Sequence, residues 1–245
     1  MKHEQELTIV EHLAEFRTRF LWTISFFFIS FLVSLYFSTD LYRLLTQGFS
    51  QKLVVLGPDD ILWIYLNLAS LMAFTLTLPF LTYQVWAFLV PALEKAEARS
   101  VFWYIPAVFL CFLAGLLFGF YLVSPALLQV LLSLGEDLFD TQLTAQNYLT
   151  FLLHTTIPMA IIFELPVLVA FLTSIGILSP RFLVQYRRHA YFSLLVLAVI
   201  ITPADFISDL AMTIPLLLIY EVSVAISRWL YRRKEKRRTG YGNLT

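Results

Sequence analysis

Charge is scarce in this chain. Only 14% of its 245 residues are charged, whereas 59% are apolar. Soluble domains carry about 25% charged residues, so a water-soluble fold with a polar shell is excluded. Cysteine occurs once, as Cys111, within an apolar run. That rules out an intrachain disulfide and leaves the redox compartment open. The four histidines, His3, His12, His154 and His189, are scattered without metal-ligand spacing. The eight glycines form no phosphate-binding loop and no Gly-x-Ser-x-Gly elbow. No metal or cofactor is therefore expected, and the chain does not read as an enzyme. A cleavable leader is not expected either. Glu4, Glu6, Glu11 and Glu15 precede the first apolar run, and no small-x-small cleavage site follows it.

Long apolar runs are abundant. A membrane span needs about 20 predominantly apolar residues, and Phe20–Phe37, Ile61–Val90, Val101–Val123, Tyr148–Ile175, Ala190–Ile201 and Leu210–Ile226 supply candidates. The expected fold is all-α, a polytopic membrane protein of six transmembrane helices. The last two runs would reach only about 18 and 26 Å at about 1.5 Å per residue, short for a hydrocarbon core of about 30 Å. Pro79, Pro106, Pro158, Pro166 and Pro215 interrupt the runs, and interior prolines bend helices. A curved bundle with a concave face is expected. No internal repeat is present, which weighs against secondary-transporter architectures.

Every lysine and arginine except Arg43 and Lys52 falls on one side of these spans. The positive-inside rule then puts both termini in the cytoplasm, an asymmetry hidden by the zero net charge. Residues 1–245 read as one membrane domain. It opens with a cytoplasmic amphipathic helix over 1–19 and ends in a basic cytoplasmic tail over 229–245. Outer loops are expected at 38–60, ending in the turn signal "GPDD", and at 124–147. The last, "TPADFIS", is short enough to make the final two spans a tight hairpin. The tail run "RRKEKRR" reads as a topology and anionic-lipid signal rather than a nucleic-acid site.

Polar residues in or beside the spans are the candidate sites. In "EHLAEFRTR", residues 11–19, Glu11, Glu15 and Arg19 repeat every four positions on one helix face. Spacing alone favours a solvated helix whose acids sit near the positive end of its dipole. In "YQVWAFLVPALEKAEARS", residues 83–100, Glu94 and Glu97 can pair with Lys95 and Arg99, an exposed connection contributing roughly 0–1 kcal/mol. Glu164 lies in the apolar stretch "MAIIFELPVLVAF", about 24 Å along the helix from Tyr148. An acid there costs at least about 2.5 kcal/mol to insert. It therefore faces either a partner or a hydrogen bond from a neighbour such as Thr155, Thr156, Ser193 or Thr202. Pro166 should bend the helix beside it. Asp205 reads as the N-cap of the last span, and Glu221, with Arg228 seven residues on, as structural.

Taken together, these stretches resemble the TatC family, the polytopic subunit of the twin-arginine protein translocase. The family's His-Leu-x-Glu-Leu-Arg motif is matched by His12, Leu13, Glu15, Phe16 and Arg17, with phenylalanine for leucine. Its Phe-x-x-Pro-Ala/Gly-Leu-x-x-x-Glu loop is matched by Phe88, Pro91, Ala92, Leu93 and Glu97, with Glu94 where an aromatic residue is common. "FELP" at 163–166, "TPAD" at 202–205 and "PLLLIYEVS" at 215–223 follow in order, although Asp209 stands where the family often has glutamine.

The resemblance implies a receptor and assembly scaffold in a bacterial or archaeal cytoplasmic membrane. Glu15 and Glu97 would bind the paired arginines of export signals, with Arg17, Phe88, Pro91 and Arg99 in support. Glu164 would dock partner helices, with Thr202, Pro203 and Asp205 near that site. The implied partners are twin-arginine signal peptides of folded precursors, single-span proteins of the TatA/TatB type, anionic lipids and further copies within the complex. Two other functions fit parts of the pattern: a proton-coupled transporter titrating Glu164, and a purely structural subunit. The spans offer a transporter no further ionisable residue except Glu221 near one end.

Overall fold

The computed structural model describes residues 9–47, 53–89, 104–135, 143–202 and 206–241. They form helices α1 (Ile9–Thr46), α2 (Pro58–Leu89), α3 (Tyr104–Phe118), α4 (Ser124–Gly135), α5 (Ala145–Ile162), α6 (Leu165–Ser174), α7 (Pro180–Gln185), α8 (Arg187–Ile201) and α9 (Phe206–Tyr241), with a π-helical turn at Gly119–Val123 between α3 and α4. No strand longer than one bridge occurs among the described residues. The all-α expectation holds. The chain divides into two compact units, with the boundary after Phe109; residues 53–56 belong to the second.

The first unit is a helical hairpin. As α1 numbers rise, their α2 partners fall: Phe16 meets Phe88, Arg19 meets Gln84, Phe26 stacks on Phe80, and Thr39 reaches Tyr65. The helices are therefore antiparallel. Ser30, Ser34 and Ser38 are buried on α1 at four-residue spacing, and Ala69, Ala73 and Thr77 on α2 at the same spacing. Small residues at this period let two backbones approach, which replaces the hydrophobic drive that lipid does not provide. No break separates the expected amphipathic segment from the first span, because α1 is a single helix of 38 residues. The "GPDD" turn starts α2 as read from the sequence, with the Gly57 N–H donating to an Asp60 carboxylate oxygen at 3.2 Å.

The second unit departs from the expected loops. Residues 124–135 continue the third span instead of leaving it, so one apolar run covers Tyr104–Ser133. Ser124 and Pro125 look like stop signals, but the π turn absorbs the proline: the Ser124 N–H donates five residues back to the Gly119 carbonyl. Val123 and Leu127, one turn apart, enter the core. Thr144 caps α5 by accepting from the Asn147 N–H at 3.2 Å, and the Ala145 N–H pairs with the Val54 carbonyl at 2.8 Å.

The helix breaks where Glu164 and Pro166 forecast a bend, since α5 ends at Ile162 and α6 begins at Leu165. α6 closes on Gly176, whose φ of 83° is open to glycine. Ile177 N–H bonds back to Leu172 O and Gly176 N–H to Thr173 O, a Schellman ending. A core of Met159, Ile162, Val169, Leu183, Leu194, Met212, Leu216 and Val224 joins α5 to α9.

Five helical runs among the described residues are long and apolar enough to cross a membrane. The fifth expected span forms α8, which at 15 residues reaches about 22 Å, short as expected. The last is not short as a helix. α9 runs 36 residues, because the arginines, lysines and glutamate that end its apolar stretch are good helix formers.

Candidate functional sites

In the first unit the acid singled out in the N-terminal motif is engaged. The Glu15 Oε1 accepts from Arg19 Nε at 3.0 Å and from Arg19 Nη2 at 2.5 Å, while Arg19 Nη1 donates to the Gln84 Oε1 at 3.2 Å. Helical spacing sets the first contact, one turn apart. Hairpin packing sets the second, 65 positions away in sequence. Both charged side chains are only about a quarter exposed (27% and 28%). The guanidinium that reaches Glu15 is thus Arg19, and Arg17 is exposed.

Glu15 and Arg19 border an open cleft of about 630 Å³ with Ala14, Thr18, Trp22, Phe80, Tyr83 and Gln84, a size within the roughly 300–1,000 Å³ of ligand clefts. Trp22 and Tyr83 remain exposed beside it. Phe16 packs edge-on against Phe88 at 5.9 Å, which ties the N-terminal motif to the end of α2. Pro91, Glu97 and Arg99 lie outside the described residues.

In the second unit Glu164 occupies the gap between α5 and α6. Both of its carboxylate oxygens are buried without a hydrogen-bond partner among the described residues. The hydroxyls expected to satisfy it are committed elsewhere. Thr155 donates to Phe151 O at 2.8 Å, Thr156 pairs with Ser124 at 3.4 Å, and Thr202 bonds Ala198 O and the Asp209 carboxylate. Ser193 is exposed. Around Glu164 the packing is close: Phe163 lies against Phe118 at 5.2 Å, and Cys111 is within electrostatic reach.

Gly115 and Gly119 make this proximity possible. A Cβ on Gly115 would sit 2.6 Å from Ala160 Cα, and one on Gly119 would sit 2.9 Å from Thr156 Cα. The reading of the sequence missed this crossing; the Gly-x-x-x-Gly pattern of 115–119 is the signal that could have found it.

The Thr202–Asp209 hydrogen bond ties the end of α8 to the first turn of α9. Pro203 and Asp205 lie outside the described residues, so the expected cap at Asp205 does too. Glu221 takes Arg187, not Arg228, as its ionic partner, at 2.7 Å, and also accepts from Tyr191. Near the basic end of α9, Lys234 Nζ donates to Ser174 O at 2.9 Å, a cation at a helix C-terminus.

Comparison with known proteins agrees with these features. The family model for TatC, the Sec-independent protein translocase protein, matches residues 11–215. The Sec-independent protein translocase protein TatCd of Bacillus subtilis is 39% identical over 236 residues, covering 96% of this chain and 98% of that protein. TatC of Halalkalibacterium halodurans is 38% identical, covering 96% and 94%. A crystal structure of a twin-arginine translocase receptor, TatC, superposes with a TM-score of 0.78 at 29% identity, covering 90% of this chain and 99% of that one. The chain is a multi-pass membrane protein and belongs to the TatC family of Sec-independent protein translocase components.

Proposed function

We propose that this translocase component is the receptor for export signals carrying consecutive arginines, and the scaffold on which single-span partners of the TatA/TatB type assemble. The observation that carries the reading is the Glu15 carboxylate, about three-quarters buried beside an open, aromatic-lined cleft. A carboxylate accepts a guanidinium through two parallel hydrogen bonds, a geometry lysine does not reproduce. Glu15 reads one arginine and Glu97 the other, with Arg17, Phe88, Pro91 and Arg99 in support. The protein binds and recruits and does no covalent chemistry. It lies in a bacterial or archaeal cytoplasmic membrane with both termini cytoplasmic, and its basic tail engages anionic lipid.

Glu164 receives a partner's transmembrane helix, and Thr202, Pro203 and Asp205 form the loop and cap near that partner site. A buried carboxylate whose oxygens find no partner among the described residues supports this, since buried polar atoms are almost always paired.

Crosslinking of a twin-arginine signal peptide to Glu15→Gln and Glu97→Gln variants tests the receptor role. Each contact should be worth about 1.5–3 kcal/mol. Glu97→Gln should weaken crosslinking markedly and Glu15→Gln as much or less, and a Lys-Lys signal should bind the unaltered protein poorly. Unchanged crosslinking in both variants removes the assignment.

A further inference from the structure

We propose that Arg19 is a built-in stand-in for the ligand's arginine, an internal competitor that occupies Glu15 until a signal displaces it. The inference rests on the receptor reading of Glu15. Three features carry it. First, Arg19 spends two of its donors on one oxygen, Glu15 Oε1, at 3.0 and 2.5 Å. The acceptor that a signal arginine needs is therefore already held by a guanidinium of the same chemistry. Second, Arg19 has another acceptor. Its Nη1 reaches Gln84 Oε1 at 3.2 Å, on the facing helix. A displaced Arg19 keeps that bond and swings away from Glu15 without losing every partner. Third, the cleft beside the pair offers the aromatic faces of Trp22 and Tyr83, over which an arriving guanidinium stacks.

Binding is then an exchange: one guanidinium leaves Glu15 Oε1 as another arrives. Opening the Glu15–Arg19 pair costs every ligand the same free energy, so Arg19 lowers the affinity for all of them by one factor. A lysine ammonium is a compact, strongly hydrated point charge and replaces two directed hydrogen bonds poorly. The preference for arginine therefore stays with Glu15, and Arg19 sets how tightly any signal is held.

The test uses the full chain in lipid nanodiscs and two labelled signal peptides, one Arg-Arg and one Lys-Lys, with Kd measured by fluorescence anisotropy. Arg19→Gln should tighten the Arg-Arg peptide by about fivefold, the factor held by a partly exposed ion pair. It should tighten the Lys-Lys peptide by the same factor, so that the ratio of the two Kd values is unchanged. Arg19→Lys, which keeps the charge and the stem, should fall between wild type and Arg19→Gln in its affinity for the Arg-Arg peptide. If Arg19→Gln weakens the Arg-Arg peptide or leaves its Kd unchanged, Arg19 only positions Glu15 and the exchange is wrong. Glu15→Gln separates the two levels. If it weakens binding while Arg19→Gln also weakens it, only the exchange falls. If it changes neither peptide, the receptor reading of Glu15 falls as well.

Discussion

At the residue scale, two glutamates hold arginines, while a third has no hydrogen-bond partner among the described residues. Glu15 and Glu221 each hold an arginine, Arg19 and Arg187, in partly exposed positions, where such pairs contribute about 1 kcal/mol or less. Glu164 has no protein partner among the described residues, and its backbone sits at the interruption between two helices. A group so placed is expensive to bury in hydrocarbon, which fits a contact completed by another helix. Substitutions separate that role from proton carriage. Glu164→Gln keeps the shape and hydrogen-bonding capacity of the side chain and should retain much of the transport. Glu164→Ala and Glu164→Leu should lose partner crosslinking while signal-peptide crosslinking stays intact. A proton carrier would instead fail with Gln as completely as with Leu, with docking normal; that pattern in paired transport and crosslinking assays would exclude docking as the role.

At the element scale, the crossing of α3 on α5 depends on two glycines. The Cβ of even an alanine at position 115 would meet the Ala160 backbone at 2.6 Å and Phe163 Cβ at 2.8 Å, and neither can swing aside as the end of a flexible side chain would. Overpacking of this kind costs about 1–3 kcal/mol. Gly115→Ala should lower the melting temperature of the detergent-solubilised protein. Gly119→Ala should lower it less, since its nearest contact is 2.9 Å and two of the three nearest atoms belong to the Thr156 side chain. Gly115→Leu should prevent the crossing altogether. A melting temperature unchanged in Gly115→Ala would mean that the helices separate there at little cost. The π turn that follows Gly119 lets the same helix pass Pro125 and run on to Gly135.

At the scale of the whole molecule, the five long apolar runs carry few charges, each holding no more than two in its most apolar window of 18 residues. The sequence offers no continuous polar stripe along a span on which a folded protein could be carried through the membrane. The chain should therefore not transport alone. Reconstituted into vesicles with a folded twin-arginine precursor, the purified protein should give no protected product until single-span partners are added. Transport without them would overturn the scaffold reading.

The sequence by itself determined the class of the molecule. Apolar runs of membrane-spanning length identify helices, because in lipid the backbone must satisfy its own hydrogen bonds. Short polar motifs such as residues 11–17 and 163–166 identify the family, because they survive as local strings. The break at Glu164 was also legible, since Pro166 acts on its immediate neighbours. Side-chain partners on other helices were not legible. The bond from Arg19 to Gln84, the choice of Arg187 over Arg228 by Glu221, and the commitment of Thr156 to Ser124 all join residues at least 30 positions apart. The continuation of the third span past Pro125 likewise depended on Val123 and Leu127 finding a core. Only the tertiary structure decided these, because a side chain's partner is set by which helix faces pack together, and spacing along one helix does not encode its neighbour.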